Sequence, residues 1–296
     1  MPELPEVETV RRQLDPVLSG RTIEAVEVLD PYFTKPGDPA AFVAATTGRT
    51  LTGVDRRGKY LLLGFSGGDT LVIHLRMTGN LILADREGER PAPDGRIYSP
   101  PRGSHLKARF TLDDGLELRF YDPRRFGRGF VADPGSLDEY LGQRLGVEPL
   151  SVDFTVEEMA RVTAGRRGPL KSFLLDQKQV AGIGNIYADE ALHRAGLHPL
   201  SPGGSMKEEH HLALHRGIIE ALTRGVELGG ASIDDYRDAE GGNGSMQEEF
   251  LVHLREGEDC LGCGGTVNRI VVGGRSTYYC PGCQVRLRQR PRRRRR

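Results

Sequence analysis

The chain has 296 residues, enough for two domains of ordinary size with substantial cores. Its longest apolar runs, 60–63 and 71–73, are far shorter than the ~20 residues that a membrane span needs. The first residues carry no apolar signal region. These features exclude membrane-spanning and secreted classes and favour a cytoplasmic protein.

The formal net charge is zero, with 41 basic and 41 acidic residues, but the charges are unevenly distributed. Residues 285–296 hold eight arginines and no acid, which leaves 33 basic residues (41 minus 8) against 41 acidic ones in the rest. Binding of a polyanion therefore has to come from local basic patches and from this tail. We expect the tail to be disordered, as either a solvated or a weakly nucleic-acid-binding arm.

The first eight residues, MPELPEVE, predict a helix start. Pro5 occupies the position that proline favours at the beginning of a helix, and Glu6 places an acid against the positive end of the helix dipole. The apolar residues that follow repeat at helical spacing and form one stripe that would anchor the helix: Val7, Val10, Leu14 and Leu18.

The same stretch offers a candidate nucleophile, because removal of Met1 would leave Pro2 with a free secondary amine. An α-amino group titrates near ~8 and a lysine near ~10.4, so the terminus is much the better-poised amine at neutral pH. A secondary amine that attacks a sugar carbon forms an iminium, which acts as an electron sink. Glu3 is adjacent for proton transfer. An ordinary helix start, whose proline only aids Met1 removal, is the alternative.

Short β-rich runs separated by turn clusters follow, and strands without intervening helices predict an antiparallel sandwich or barrel. The runs are 22–29, 51–55, 60–65, 70–75, 80–84, 106–112, 116–121 and 129–131. One short helix interrupts them at 39–46. A linker is expected from Asp133, and helical spacing then recurs at 155–161, 170–176, 186–195 and 207–228. The glycine-bearing loop 180–185 precedes a helix N-terminus, a position that suits a phosphate.

All four cysteines lie near the end of the chain, as two C-x2-C pairs separated by sixteen residues. In a reducing compartment this spacing predicts a closed structural zinc site on a β-hairpin, with one ion held by four thiolates. A redox dithiol is the weaker alternative. The predicted ligands are Cys260, Cys263, Cys280 and Cys283.

Several longer motifs occur in an order that resembles the formamidopyrimidine-DNA glycosylase family, which removes oxidised purines such as 8-oxoguanine from DNA. The resemblance is carried by PELPEVETVRR, RRGKYLLL, IHLRMTG, YDPRRFG, LLDQKQVAGIGNIYADEAL and GGRSTYYCPGCQ. It implies an α+β multidomain fold: an N-terminal antiparallel β-sandwich with its leading helix (1–134), a helix-two-turn-helix domain (150–245) and a β-hairpin zinc finger (250–284). DNA would lie in the cleft between domains, and we expect a monomer that binds damaged double-stranded DNA.

The resemblance also implies roles for catalytic residues. Pro2 would be the Schiff-base nucleophile that attacks C1′, and Glu3 its acid-base partner. Lys59 would assist elimination and contact phosphate, and Arg275 on the finger hairpin would bind phosphate during the final elimination. A solvated strand lysine and a turn arginine are the respective alternatives.

Chemistry on a base inside a duplex requires the nucleotide to be flipped out. Met77, Arg124 and Phe126 match the side chains that fill the resulting gap, and an extended 124–126 segment would point Arg124 and Phe126 the same way. Core packing is the alternative for Met77 and Phe126. The residues matching positions that hold the DNA backbone are His105, Arg166, Asn185 and Lys171; for Arg166 and Lys171, a solvated charge at a helix end is the alternative.

Two features depart from the family pattern. The loop 229–244 reads GGASIDDYRDAEGGNG, so no lesion-contacting residue is assigned there, and the arginine tail continues beyond the finger. An endonuclease-VIII-like enzyme for oxidised pyrimidines, a catalytically silent damaged-DNA-binding protein and an unrelated zinc-ribbon protein are the competing interpretations. PELPE and DPRRFG favour the purine-specific branch.

Overall fold

A computed structural model describes residues 1–85, 105–233 and 235–288. The chain divides into two compact units, each built from two stretches of sequence. The first unit contains 1–143 and 225–247, and the second contains 144–224 and 248–296. In the described ranges, no helix is both long enough and apolar enough to cross a membrane.

The first unit is a sandwich of two four-stranded antiparallel sheets behind a leading helix. Its helices are α1 (Leu4–Leu18), α2 (Pro39–Thr46) and α3 (Pro134–Gly142). Its strands are β1 (Ile23–Val28), β2 (Leu51–Arg57), β3 (Tyr60–Phe65), β4 (Thr70–His74), β5 (Asn80–Ala84), β6 (Leu106–Leu112), β7 (Glu117–Tyr121) and β8 (Arg128–Ala132). The predicted strands all form, each within about two residues of the expected bounds.

The strand order is β1-β6-β7-β5 in one sheet and β2-β3-β4-β8 in the other. Each strand alternates inward and outward side chains, and the inward ones form a single apolar core that α1 joins through its stripe. Val7, Val10, Leu14 and Leu18 have no exposed surface. The antiparallel sandwich expected from the pattern of strands is confirmed.

The linker expected from Asp133 is wrong at its start, because 134–142 form α3. The Asp133 side chain accepts a hydrogen bond from the backbone N–H of Ser136, and Pro134 occupies the first turn. Asp133 is thus a helix N-cap. The turn residues Asp-Pro-Gly that predict a linker also begin helices, and only the side-chain cap distinguishes the two.

The second unit is helical and ends in a β-hairpin. Its helices are α4 (Val156–Thr163), α5 (Leu170–Leu175), α6 (Asn185–Arg194) and the greater part of α7 (Glu208–Glu227). The hairpin strands are β9 (Asn268–Val272) and β10 (Arg275–Tyr279), paired antiparallel with Arg275 opposite Val272. The helices form where helical spacing predicts them, within about two residues.

Candidate active site and nucleic-acid interface

The N-terminal residues are held by the first turn of α1. Glu3 is the N-cap residue; its backbone N–H donates to Glu6 Oε2 at 2.7 Å, and its own carboxylate accepts from the Glu6 backbone. This reciprocal capping box satisfies two backbone donors that a helix start leaves without partners. Pro2 and Glu3 are buried, and Glu3 is only 3% exposed. A secondary amine at Pro2 would therefore sit on a rigid support beside a fixed carboxylate.

Lys59 lies in the two-residue loop between β2 and β3, after Gly58, whose φ of +57° favours glycine. It is 5% exposed. Its charge is felt by His74 at the end of β4: burial, the charge of Arg76 and the charge of Lys59 together lower the pKa of His74 to about 3. His74 Nδ1 accepts a hydrogen bond from the Arg76 backbone N–H at 2.9 Å, as a neutral imidazole does.

His74 was not singled out from the sequence. The available signal was a histidine at the end of a strand whose other residues are apolar, in the motif IHLRMTG. A buried histidine with a strongly shifted pKa beside a cation is a frequent marker of a functional site. Its position between Lys59 and the turn that carries Met77 explains why it belongs to this region.

Met77 and Phe126 are exposed, at 40% and 44%, on the turns that follow β4 and β7. The core-packing alternative is therefore wrong for both. The Arg124 guanidinium lies 5.0 Å from the centre of the Phe126 ring. Exposed apolar side chains beside a cation are suited to stacking on bases and occupying a gap in a duplex.

The expected extended conformation of 124–126 is wrong, because Arg125 adopts a left-handed conformation with φ +60°. Its guanidinium donates to both carboxylate oxygens of Asp30, at 2.6 and 2.9 Å, and this hydrogen bonding lowers the pKa of Asp30. Arg124 and Phe126 are adjacent through a turn and a cation-π contact instead. Alternation along a strand is not the reason for their pairing.

Asp122 joins the two turns and was also not predicted from the sequence. Its Oδ1 accepts from the Thr78 hydroxyl at 2.5 Å and from the Arg124 N–H at 3.1 Å, and its Oδ2 accepts from the Gly127 N–H at 2.6 Å. Asp122 has no exposed surface. One buried carboxylate thus sets the geometry of the residue after Met77 and of the turn that holds Arg124 and Phe126. An aspartate that precedes a turn is the only local signal.

His105 is the first described residue after the gap at 86–104. Its backbone carbonyl accepts from the Asp122 N–H at 2.9 Å, which places it at the start of the same region. Its Nδ1 is buried and has no hydrogen-bond partner among the described residues. The imidazole is therefore positioned beside the Asp122 turn.

The loop 229–244, which the sequence left without assignments, packs on α1. The Ala231 N–H donates to Glu6 Oε1 at 2.8 Å, and the Tyr236 hydroxyl donates to the Glu6 carbonyl at 3.2 Å. The Ala239 N–H donates to the Gln13 side chain at 2.8 Å. Glu6 therefore binds the N-terminus through one carboxylate oxygen and this loop through the other. Asp234 lies outside the described residues.

In the second unit, Arg166 is exposed after α4, and its guanidinium donates to Gln179 Oε1 at 2.7 Å. Asn185 begins α6, and its side-chain amide donates to the Ser276 carbonyl of β10 at 3.0 Å. The Asn185 Oδ1 is buried without a hydrogen-bond partner among the described residues. Asn185 thus joins the helix N-terminus to the hairpin that carries Arg275.

The structure places Lys171 differently from the expectation. Lys171 has no exposed surface, and its ammonium forms an ion pair with the equally buried Asp189, which also accepts from His253 Nδ1 at 2.8 Å. An ammonium without exposed surface offers nothing to a DNA phosphate. Both the predicted phosphate contact and its solvated alternative are wrong in this structure, and Lys171 instead forms an internal ion pair joining α5 to α6.

Arg275 is exposed at the start of β10, directly after the hairpin turn. Gly273 and Gly274 have φ of +56° and +76°, the left-handed pair that a tight two-residue turn requires. The Glu190 carboxylate anchors the segment before the hairpin by accepting three consecutive N–H groups at 3.0–3.1 Å, those of Leu251, Val252 and His253. Arg275 therefore projects from a tip whose base is firmly held.

The four cysteine sulfurs lie within 4.8 Å of one another. Zn–S bonds of about 2.3 Å in a tetrahedron place sulfurs about 3.8 Å apart, and Cys260 and Cys283 Sγ are 3.7 Å apart. Hydrogen bonding to Cys263, with burial and the charge of Cys260, raises the pKa of Cys283. Several thiolates this close are mutually unfavourable unless a cation separates them. The site fits one structural zinc ion with every position filled by protein.

The predicted site residues fall into two groups, one in each unit. The first unit brings together Pro2, Glu3, Lys59, Met77, His105, Arg124 and Phe126. The second holds Arg166, Lys171, Asn185, Arg275 and the four cysteines. A rigidly held N-terminal proline, exposed wedge residues on sandwich turns and a zinc-bound hairpin are typical of helix-two-turn-helix DNA glycosylases, and this is the class of protein that the fold and site define.

Comparison with known proteins identifies the family. Residues 1–129 match the formamidopyrimidine-DNA glycosylase N-terminal domain, 145–237 the H2TH domain of the same glycosylase, and 257–285 the zinc finger found in FPG and IleRS. A formamidopyrimidine-DNA glycosylase of Chloroflexus aurantiacus is 44% identical over 98% of this chain and 99% of its own. The chain belongs to the formamidopyrimidine-DNA glycosylase family, which confirms the resemblance drawn from its motifs.

Solved structures agree. The crystal structure of the Thermus thermophilus protein has a TM-score of 0.82 at 42% identity and covers 96% of this chain and 98% of its own. Wild-type Lactococcus lactis Fpg in complex with DNA containing N7-benzyl-Fapy-dG has a TM-score of 0.85 at 35% identity, covering 96% and 99%. The predicted fold class, including the finger with its zinc ion, is confirmed.

Proposed function

We propose that this protein removes oxidised purines, 8-oxoguanine and formamidopyrimidines, from duplex DNA and then cleaves the resulting abasic site. The family establishes a DNA glycosylase with lyase activity that acts in base-excision repair. The observation that carries the residue-level proposal is the capping box at Glu3 and Glu6, which holds Pro2 at a buried, rigid position beside a carboxylate.

In the proposed chemistry, the Pro2 nitrogen attacks C1′ of the damaged nucleotide once Met1 has been removed. The C1′–base bond breaks, and the base departs with the bonding electrons and takes up a proton. Glu3 then donates a proton to O4′ as the C1′–O4′ bond opens, and the nitrogen lone pair completes the C=N bond of an iminium. The iminium accepts electrons when the C2′ proton is removed and the 3′-phosphate leaves.

The second phosphate leaves by a further elimination, for which Lys59 and Arg275 are the proposed cations. A guanidinium or ammonium beside a departing phosphate stabilises the negative charge that develops there. Lys59 lies in the unit that contains Pro2, and Arg275 lies at the exposed tip of the finger hairpin.

We assign Met77, Phe126 and Arg124 to the space that the extruded nucleotide vacates. Met77 and Phe126 supply exposed apolar surface to replace stacking, and Arg124 supplies donors for the base left opposite. We assign His105, Arg166 and Asn185 to the DNA backbone, where they position the duplex without reading its sequence.

We further assign catalysis to residues 1–134 and duplex binding to 150–245 and 250–284. We infer that the enzyme acts as a monomer in the cytoplasm, associated with the nucleoid, since one chain supplies every proposed role.

Borohydride trapping tests the proposal. Duplexes that carry one 8-oxoguanine or one oxidised pyrimidine are incubated with the enzyme and reduced, and the cross-linked peptide is mapped. We expect a covalent complex at Pro2 with the 8-oxoguanine duplex. Trapping at Lys59 would refute the nucleophile, and preferential trapping on the pyrimidine duplex would favour the endonuclease-VIII-like alternative.

A preparation that retains Met1 is the matched control. Its Pro2 nitrogen is an amide, which has no nucleophilic lone pair, while its DNA-binding surface has the same side chains. We expect it to bind the 8-oxoguanine duplex but to form no trapped complex. Excision by this preparation would contradict the mechanism.

A further inference from the structure

The chain beyond the finger is attached to the loop between α6 and α7. The Val285 N–H donates to the Gly196 carbonyl at 2.8 Å, and the Val285 carbonyl accepts from the His198 N–H at 3.0 Å. The Leu287 N–H donates to Ser201 Oγ at 3.0 Å. Disorder was expected from residue 285 onward, and this is wrong for 285–287; residues 289–296 lie outside the described part.

This attachment creates a cavity of about 610 Å³ in the second unit. Its volume lies within the range of small-molecule sites, roughly 300–1,000 Å³. Its lining consists of arginines and apolar residues: Arg167, Pro169, Leu200, Pro202, Arg286, Leu287 and Arg288. Among the described residues that line it, none is acidic.

The cavity is therefore strongly cationic without an internal counter-charge. Arg286 and Arg288 are exposed, and within the described ranges their guanidinium groups form no hydrogen bond or ion pair. Guanidinium groups bind phosphate oxygens in a bidentate manner, and three of them around one cavity favour an anion over any cation or neutral ligand. The volume exceeds that of a phosphate, and the proline and leucine walls offer apolar surface for a sugar or a base.

We propose that this cavity is a nucleotide-binding site separate from the lesion site, with phosphate held by Arg286, Arg288 and Arg167 and the nucleoside placed against Pro169, Leu200 and Pro202. The phosphate can belong to a nucleotide of a DNA strand or to a free nucleotide. Both sources present the same chemistry to the arginines. The proposal does not depend on the Pro2 mechanism, because its observable is binding and not excision.

Calorimetric titration of the zinc-loaded, full-length enzyme with dAMP tests the site. We expect saturable binding that weakens at least tenfold in an Arg286→Ala/Arg288→Ala double variant. A matched Arg161→Ala/Arg224→Ala double variant removes the same charge from exposed positions of the same unit, and its dAMP affinity should stay within twofold of wild type. Absence of saturable dAMP binding to the wild type, or equal loss in both double variants, would overturn the proposal.

A measurement on the unaltered enzyme avoids any dependence on variant folding. Phenylglyoxal modifies accessible arginines, and mass spectrometry locates the modified sites. We expect saturating dAMP to protect Arg286 and Arg288 and to leave the surface residue Arg161 unprotected. Unchanged modification of Arg286 and Arg288 would overturn the assignment.

Repeating the titration with saturating undamaged duplex identifies the source of the nucleotide. Loss of dAMP binding in the presence of duplex means that a DNA strand occupies the cavity. Simultaneous binding of dAMP and duplex means that the site serves free nucleotides. Both results support the site and distinguish its ligand.

Discussion

His74 is a neutral, buried imidazole, and its low pKa makes the stability of the sandwich depend on pH. The folded pKa of about 3 lies below the unfolded value of 6.5, so only the unfolded chain takes up this proton between the two values. The stability that His74 contributes is complete above pH 6.5 and is lost as pH falls toward 3. The maximum slope for one group is about 1.4 kcal/mol per pH unit.

We predict that His74→Asn flattens this dependence between pH 6.5 and 5, because an asparagine oxygen can accept the Arg76 N–H without titrating. Urea unfolding of the sandwich at several pH values measures it. His210→Asn, which removes a partly exposed histidine of α7 in the second unit, should leave the slope unchanged. A His74→Asn slope equal to that of wild type would show that His74 does not carry the effect.

Asp122 is the second residue on which the site depends. Both of its oxygens accept hydrogen bonds from donors, so the amide of Asp122→Asn must place an NH2 against a donor. Leaving a buried donor unsatisfied costs about 1–3 kcal/mol. We predict a lower melting temperature and slower single-turnover excision, because the turn that carries Arg124 and Phe126 loosens.

The matched variant for Asp122 is Asp113→Asn, in the turn between β6 and β7. Asp113 is exposed and forms only a long surface ion pair, 3.9 Å, with Arg21. Such pairs contribute little, so stability and excision should remain near wild type. If both variants behave alike, Asp122 has no special positioning role.

At the scale of elements, the finger hairpin depends on its metal. The small apolar cluster at its base, which includes Val252, Val267 and Tyr278, is not large enough to hold two five-residue strands alone. We predict that Cys263→Ser releases zinc, unfolds β9 and β10, and weakens DNA binding, because Arg275 loses its support.

Zinc content, hydrogen exchange of β9 and β10 and duplex affinity measure this outcome. The sandwich has its own core and should keep its protection from exchange. Full zinc retention with unchanged DNA affinity would show that the finger does not depend on this thiolate.

At the scale of the whole molecule, the arginine tail opposes an acidic body, since 285–296 hold eight arginines and the rest of the chain has 33 basic residues against 41 acidic ones. Each arginine that neutralises a phosphate steepens the dependence of log affinity on log salt by about 0.9. We predict that truncation after Arg290 lowers affinity for damaged and undamaged duplex nearly equally and flattens the salt slope by about one to four units.

Single-turnover excision should be unchanged by this truncation, because Pro2 and Glu3 lie in the other unit. Arg286 and Arg288 remain in the truncated chain, so the dAMP titration separates the tail from the cavity. Identical salt slopes for the full and truncated chains would mean that 292–296 do not contact DNA.

The sequence by itself determined the elements and the metal site. Alternating and helical spacing located the strands of the sandwich and the helices of the second unit, because burial of one face imposes a period of two or about 3.6 residues on any chain. The two C-x2-C pairs determined the zinc ligands, since coordination chemistry restricts their spacing. The N-terminal motif identified Pro2 and Glu3 as candidates before any geometry was known.

Only the tertiary structure decided which polar side chains meet. Asp122 accepts from Thr78, 44 residues away, and Glu6 accepts from Ala231, 225 residues away. The burial of Lys171 against Asp189 is likewise a long-range pairing that no local period encodes. Local patterns report which face of an element is apolar, but the partner of a buried charge depends on how distant segments pack, and that packing sets the positions of the residues proposed to act on DNA.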